Sequence, residues 1–298
     1  MPESLKLRAS RRYGTLSPLR YPGGKASLAG FFADLIAGLD LKQATYVEPY
    51  AGGVGAGIAL LREGLINTLV INDFDPAVYA FWKTATTRTA EFIDLIVSTP
   101  LSVEEWQRQR SVYRAARSED LLKLGFAFFY LNRTNRSGVL TGGVIGGLAQ
   151  TGNYKMDARF NKTTLIERLE AIGELSNQIT VTSRDGRSVI REYGTRTDVF
   201  MYIDPPYVQA GSRLYMNSFD GRDHAALADI VNGVDRAHWL MTYDVDPLIE
   251  RLYAEQFQTR YELYYSAQNY IMSDELLIAS PSVAQAITEK VLRAPVSA

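Results

Sequence analysis

Hydrophobic residues follow two alternating patterns along this chain. Short apolar runs at Thr45–Glu48, Thr68–Asn72 (TLVIN), Ile179–Thr182, Val199–Ile203 (VFMYI) and His238–Thr242 (HWLMT) read as buried strands. Between them apolar residues recur roughly every three to four positions, the period of a helix with one buried face. Leu28, Phe31, Phe32, Leu35 and Ile36 make one such face, and Trp82, Phe92, Ile93, Ile96, Trp106 and Tyr113 supply others between Ala77 and Arg117. Leu121–Leu131 (LLKLGFAFFYL) is apolar enough for a buried helix, and further helices are expected at Ile58–Glu63, Pro76–Trp82, Thr164–Leu175, Asp223–Val231 and Asp246–Tyr253. Strands alternating with helices predict an α/β fold around a largely parallel sheet. Tyr261–Tyr265 and Glu275–Ala279 close the pattern as a strand pair joined by a polar loop, Ser266–Asp274. Arg8, Arg11 and Arg12 are expected in a flexible N-terminal arm, and Gly211–Asp220 in a mobile loop.

The strand ends carry the candidate chemistry. Thr45–Glu48 runs into Pro49-Tyr50-Ala51-Gly52-Gly53-Val54-Gly55 and then a helix, the strand–glycine turn–helix arrangement that cradles nucleotides. The spacing is not G-x-G-x-x-G, so a dinucleotide is not inferred. Thr68–Asn72 ends in Asp73, where folds of this kind grip ribose hydroxyls. The plain alternative is a helix cap, but Asp75 before Pro76 is the better N-cap and leaves Asp73 free. An earlier glycine turn, Tyr21-Pro22-Gly23-Gly24-Lys25, feeds a helix whose first residue, Lys25, can pair with an anion or simply be solvated.

Val199–Ile203 stops abruptly in Asp204-Pro205-Pro206-Tyr207. The prolines fix φ and offer no N–H, so this turn presents a carboxylate, a preset carbonyl and a flat ring. That set suits a planar substrate bearing an amino group. Asp204 and the Pro205 carbonyl accept its two N–H bonds while Tyr207 stacks on its face. The bland reading is a Pro-Pro turn beside a surface Asp.

Charge alters this picture in one place. The formal net charge is −1, yet Leu121–Lys162 holds six basic residues (Lys123, Arg133, Arg136, Lys155, Arg159, Lys162) against one acid, Asp157. With Asn132, Asn135 and neighbouring polar side chains, this region can meet phosphates and base edges, or it is a solvated lid. The absence of cysteine excludes disulfides and thiolate zinc sites and suits a reducing cytoplasm; two histidines, His224 and His238, argue against a protein-held transition metal. No apolar run is long enough for a membrane span, and the basic N-terminus lacks the apolar core of a signal peptide.

Five motifs in order, RYPGGK at Arg20–Lys25, EPYAGGVGAG at Glu48–Gly57, NDFD at Asn72–Asp75, NRT at Asn132–Thr134 and DPPY at Asp204–Tyr207, resemble Dam-type adenine-N6 DNA methyltransferases. The resemblance runs from Ser17 to about Ser280. It implies a Rossmann-like seven-stranded methyltransferase sheet with a mainly helical target-recognition insertion. The catalytic domain would take 1–100 and 163–298, and the inserted DNA-recognition region 101–162.

The cofactor so implied is S-adenosylmethionine. Tyr21, Gly24 and Lys25 would meet its methionine part, with Lys25 at the carboxylate. Glu48, Tyr50 and the turn Ala51, Gly52, Gly53, Val54, Gly55 would pass under it, Asp73 would hold its ribose, and Asp185 would recognise its adenine. Relatives commonly place an aromatic after that acid, whereas this chain has Gly186. Asp204, Pro205, Pro206 and Tyr207 would bind an adenine flipped out of duplex DNA, and Asn132, Arg133, Asn135, Arg136, Lys155 and Arg159 would contact the DNA. The glycine-rich stretch after NRT differs from GATC-reading enzymes, so the recognised sequence is left open, as is pairing with a restriction nuclease. An RNA adenine, a protein glutamine amide, or a catalytically idle nucleic-acid-binding protein are the readings set beside this one.

Overall fold

The computed structural model describes residues 4–8, 16–20, 25–115, 120–208, 219–266 and 269–288, with backbone only for those within 263–274. The strands are β1 (Leu5–Arg8), β2 (Thr45–Glu48), β3 (Thr68–Asn72), β4 (Ile179–Thr182), β5 (Val199–Ile203), β6 (His238–Asp244), β7 (Phe257–Ser266) and β8 (Asn269–Ala279). They form one sheet in the order β1-β7-β8-β6-β5-β2-β3-β4. Strand β8 runs antiparallel to both β6 and β7, and the other pairs are parallel. Without β1 this is the seven-stranded outline expected from the sequence.

Two expectations change. Arg8 lies in β1, paired alongside Tyr264, because the apolar Leu5 and Leu7 on either side of Lys6 form a two-residue alternation that buries against the sheet. It does not belong to a flexible arm; Arg11 and Arg12 lie outside the described residues. The polar loop expected at Ser266–Asp274 is strand backbone from Asn269 onward, since the ladder with β7 outlasts the apolar pattern. Residues 211–218 of the expected mobile loop lie outside the described residues.

Strand β5 shows why five apolar residues follow one another: each face of the sheet is covered. Phe200 and Tyr202 enter one core with Phe32 and Tyr46, while Val199, Met201 and Ile203 enter the other with Leu227, Trp239 and Ile249. Helices α1 (Ala29–Gly38), α2 (Gly55–Arg62), α3 (Pro76–Thr87), α6 (Leu121–Thr134) and α7 (Lys162–Glu174) line the first core. Helix α8 (Gly186–Tyr193), α9 (Gly221–Asn232) and α10 (Pro247–Leu252) line the second.

The helical stretch from Ala77 breaks into α3, α4 (Thr89–Ser98) and α5 (Val103–Ala115). Within 101–162 the two long helices α5 and α6 are followed by loops and short 3₁₀ turns. Helix α6 shares the main core with α3, and Phe81 stacks on Phe129 at 5.9 Å between ring centroids. This packing holds the glycine-rich loop after Thr134 on a rigid stem.

The chain leaves β2 toward β3 on one side and β5 toward β6 on the other. In an open α/β sheet the crevice beyond such a switch point is where ligands bind. The turn after Glu48 and the quartet Asp204–Tyr207 both lie at that edge.

Candidate active site

The glycine turn after β2 is fixed by its neighbours. Asn72 is fully buried and uses its whole hydrogen-bonding capacity. Its Nδ2 donates to the Pro49 and Arg184 carbonyls at 2.8 and 3.0 Å. Its Oδ1 accepts from Thr182 Oγ1 at 2.8 Å and the Arg184 N–H at 2.9 Å. One side chain thereby joins the ends of β2, β3 and β4. Trp82 of α3 donates its indole N–H to the Gly52 carbonyl at 2.8 Å. Asp75 caps α3 by accepting from the Ala77 N–H, as expected.

Asp73 is not left free by that arrangement. Its Oδ2 accepts from the Gly52 N–H at 3.0 Å and its Oδ1 from the Asp75 N–H at 2.9 Å, so it buttresses the turn. Each oxygen retains a second lone pair for a hydroxyl. Burial raises its carboxyl to about 7 against those two hydrogen bonds. Glu48, buried at the end of β2, is raised to about 8 by burial, with the nearby Asp204 charge acting the same way.

Gly52 has φ +49°, and Val54 the left-handed pair φ +47°, ψ +30°. A β-branched residue there is strained, at a cost on the order of 1–3 kcal/mol that the surrounding packing must hold. Gly55 opens α2, where a Cβ would meet Ala26 Cβ at 2.8 Å, so the turn packs directly on the segment that begins at Lys25. Tyr21 and Gly24 lie outside the described residues.

At the start of α8, Asp185 accepts from the Arg187 N–H at 2.8 Å and from its guanidinium, with Nη2 at 2.7 Å from Oδ2. Those bonds hold its carboxyl below the usual range. A Cβ at Gly186 would fall 2.5 Å from Tyr50 Cζ. The Tyr50 hydroxyl is buried without a partner among the described residues, its phenol is pushed up by burial, and its ring meets Phe219 edge-on at 5.9 Å.

The quartet at the end of β5 converges with residues far away in the chain. Asp204 Oδ1 accepts from the Tyr207 hydroxyl at 3.0 Å and from Thr242 Oγ1 at 2.8 Å, and Thr242 meets Tyr202 at 2.6 Å. Among the described residues no donor reaches Asp204 Oδ2 or the Pro205 carbonyl. Burial raises the Asp204 carboxyl; Lys25 opposes that rise and Glu275 adds to it. The next residue, Val208, gives its N–H to Asp244 Oδ1 of β6 at 3.1 Å.

Lys25 stands in this pocket. Its Nζ is 2.7 Å from both Glu275 oxygens, 3.0 Å from the Tyr207 hydroxyl and 4.0 Å from Asp204 Oδ1. Glu275 was not singled out from the sequence, where it opens an unremarkable apolar strand.

The basic region divides in two. Asn132 and Asn135 are buried and their amides are committed within the protein, which corrects their expected contact with DNA. Asn132 accepts from the Arg20 N–H and donates to the Arg20 carbonyl, both at 2.7 Å. Asn135 accepts from the Trp106 indole at 2.7 Å and donates to the Val139 and Leu140 carbonyls. Their amides match neighbouring backbone, so they shape the loop instead of reading bases.

Arg136, Lys155 and Arg159 are exposed, whereas Arg133 is half-buried with its Nε unpartnered among the described residues. Burial and the charges of Arg168, Arg20 and Arg159 bring the Arg133 guanidinium down to about 10. Arg20 is tied to the Asn135 carbonyl and Arg168 to that of Ser17. Among the described residues no acid pairs with any of these four arginines. Arg168 was an isolated position in the sequence and gave no signal, and Arg20 was read only as the opening of RYPGGK, not as part of a basic group. His224 and His238 pack, on Tyr243 and Ser282 respectively.

A doubly wound sheet with a reversed final strand, bearing a glycine turn and an acceptor-lined slot side by side at its switch point, defines a methyltransferase of the Rossmann-like class. The chain belongs to the D12 class N6 adenine-specific DNA methyltransferase family, whose model matches residues 21–271. Its reaction is therefore methylation of adenine N6 in DNA, which sets aside the RNA, protein and idle readings. No curated protein matches the chain. Among solved structures, the rRNA methyltransferase aviRa from Streptomyces viridochromogenes is similar at a TM-score of 0.37 and 15% identity over 89% of each chain, too distant to inform the site. No described helix is long and apolar enough to cross a membrane.

Proposed function

We propose that this enzyme binds S-adenosylmethionine over the Glu48–Gly55 turn and methylates an adenine extruded from duplex DNA into the slot formed by Asp204, Pro205 and Tyr207. The observation that carries this reading is the pair of open acceptors, Asp204 Oδ2 and the Pro205 carbonyl, beside a glycine turn. The residues fit such a cofactor. The turn is glycine-rich, Asp73 keeps lone pairs for hydroxyls, and the crevice at Gly186 is walled by the Tyr50 ring. When bound, the cofactor supplies an electrophilic methyl on a sulfonium.

An exocyclic amine conjugated to a purine is a weak nucleophile. Accepting both of its N–H bonds favours a pyramidal nitrogen and stabilises the positive charge that grows as the new bond forms. Asp204 is suited to this because Tyr207 and Thr242 fix one oxygen and leave the other available. The buried setting that raises its pKa also strengthens its attraction for a developing cation. Tyr207 supplies a ring face for the base, offsetting part of the few kcal/mol needed to unstack it.

Contact with the duplex falls to the arginine group at Arg20, Arg133, Arg159 and Arg168, with Arg136 and Lys155 beside the glycine-rich loop. Guanidiniums brought together without acids are matched by phosphates. Residues 101–162 would supply most of that surface, and the catalytic domain the rest.

Expression in a host lacking adenine methylation, followed by sequencing that maps modified bases, tests the reading. N6-methyladenine at a defined sequence is expected; methyl-free DNA, with the protein shown folded, would overturn it.

A further inference from the structure

We infer that Glu275 is a positioning residue that keeps the Lys25 ammonium off the Asp204 carboxylate, leaving an Asp204 oxygen open to the target amine. This rests on the reading of Asp204 as an acceptor. An ammonium has three donors, and here two meet Glu275 at 2.7 Å and one meets the Tyr207 hydroxyl at 3.0 Å. Asp204 Oδ1 stands next in line, 4.0 Å away.

The Lys25 side chain is only 10% exposed, so water screens these charges weakly and the ammonium follows the nearest carboxylate. Glu275 is itself aimed: the buried Tyr261 donates its hydroxyl to Oε2 from β7. Register places Glu275 opposite Asp244, the residue that holds the Val208 N–H at the end of the DPPY turn. Strand β6 thus lies between the strand that carries the clamp on Lys25 and the one that ends in the slot.

Were the Glu275 charge absent, Asp204 would be the carboxylate left within reach of Lys25 among the described residues. The resulting contact would do damage twice. It would add a charged donor to Oδ1 and so weaken what the open Oδ2 can accept, and it would set a full positive charge near where the attacking nitrogen turns cationic. With Glu275 present, two carboxylates face one ammonium and the slot stays net negative.

Glu275→Gln keeps the shape and removes the charge. Turnover per cofactor-binding site, titrated by calorimetry, is measured on methyl-free genomic DNA with both substrates saturating. We expect kcat to fall about ten- to hundred-fold while the S-adenosylmethionine Kd moves less than about three-fold. Lys25→Met added to Glu275→Gln removes the ammonium that would misplace itself; with S-adenosylmethionine raised to saturate the weaker binding expected without Lys25, kcat should recover about ten-fold over the single variant. A wild-type kcat for Glu275→Gln, or a double variant no faster than the single, overturns the inference. Asp204→Ala separates the two levels: full activity there defeats the acceptor reading itself, whereas an inactive Asp204→Ala with a wild-type-like Glu275→Gln defeats only the role given to Glu275.

Discussion

Tyr50 occupies the space a side chain at residue 186 would need, since a Cβ there falls 2.5 Å from its Cζ and 2.6 Å from its Cε1. The glycine that departs from the family's usual aromatic is therefore matched by a ring arriving from β2's turn. Gly186→Ala should cost about 1–3 kcal/mol by overpacking and weaken cofactor binding. Gly186→Phe should be worse, and Tyr50→Ala in the same chain should recover part of the loss. Thermal melts and calorimetry with S-adenosylmethionine measure both effects; a harmless Gly186→Phe would mean the two rings do not compete.

Asp204→Ala should leave S-adenosylmethionine affinity nearly unchanged while lowering turnover by about three orders of magnitude, because its contribution is made as charge develops on the nitrogen. Parallel binding and methyl-transfer assays separate the two quantities. A large loss of affinity with normal turnover at saturation would assign Asp204 to the cofactor instead.

Asn72→Ala removes one side chain but strands the Pro49 and Arg184 carbonyls, the Arg184 N–H and the Thr182 hydroxyl. A loss of about 2–4 kcal/mol is expected, with cofactor affinity falling in step as the turn loosens. Urea denaturation provides the first number. Stability unchanged within error would show that water replaces the amide.

The cofactor-free enzyme should lose stability as pH rises from about 5 to 8. Glu48 and Asp73 are raised from 4.5 and 3.8 to about 8 and about 7, so the folded chain holds protons that the unfolded chain releases. Their contribution is complete below the unfolded values and is lost as pH climbs through the folded ones. Glu48→Gln should flatten the decline of Tm with pH, whereas a profile as steep as wild type would place the effect elsewhere.

Arg133→Ala should weaken DNA binding and lower the slope of log affinity against log salt by roughly one. Asn132→Ala should act differently, through stability, because its amide clasps Arg20. Binding measured across a salt series distinguishes them. An unaltered slope for Arg133→Ala would show that this guanidinium meets no phosphate.

The elements that could be read from sequence were those whose signal is local. An apolar run ending in Asp204-Pro205-Pro206 announces a buried strand and its edge without any knowledge of partners, and Asp75 before Pro76 announces a cap. Glu275 could not be read this way, because its meaning comes from a lysine 250 positions away, brought alongside by the β8 register. Asn132 and Asn135 misled for the opposite reason: amides near arginines suggest base reading, and only the fold shows them spent on Arg20, Trp106 and the loop carbonyls. Val54 breaks a local rule outright, since no pattern asks a β-branched residue to take a positive φ.

Strand β1 joins stretches far apart in the sequence, Leu5 lying beside Tyr261. A ribosome releases the first partner long before the second exists, so this margin of the sheet must wait until Tyr261 has been made. Contacts of such long separation form slowly. During that interval β7's outer rim has no neighbour, and a second nascent copy offering its own Leu5–Arg8 could fill the place.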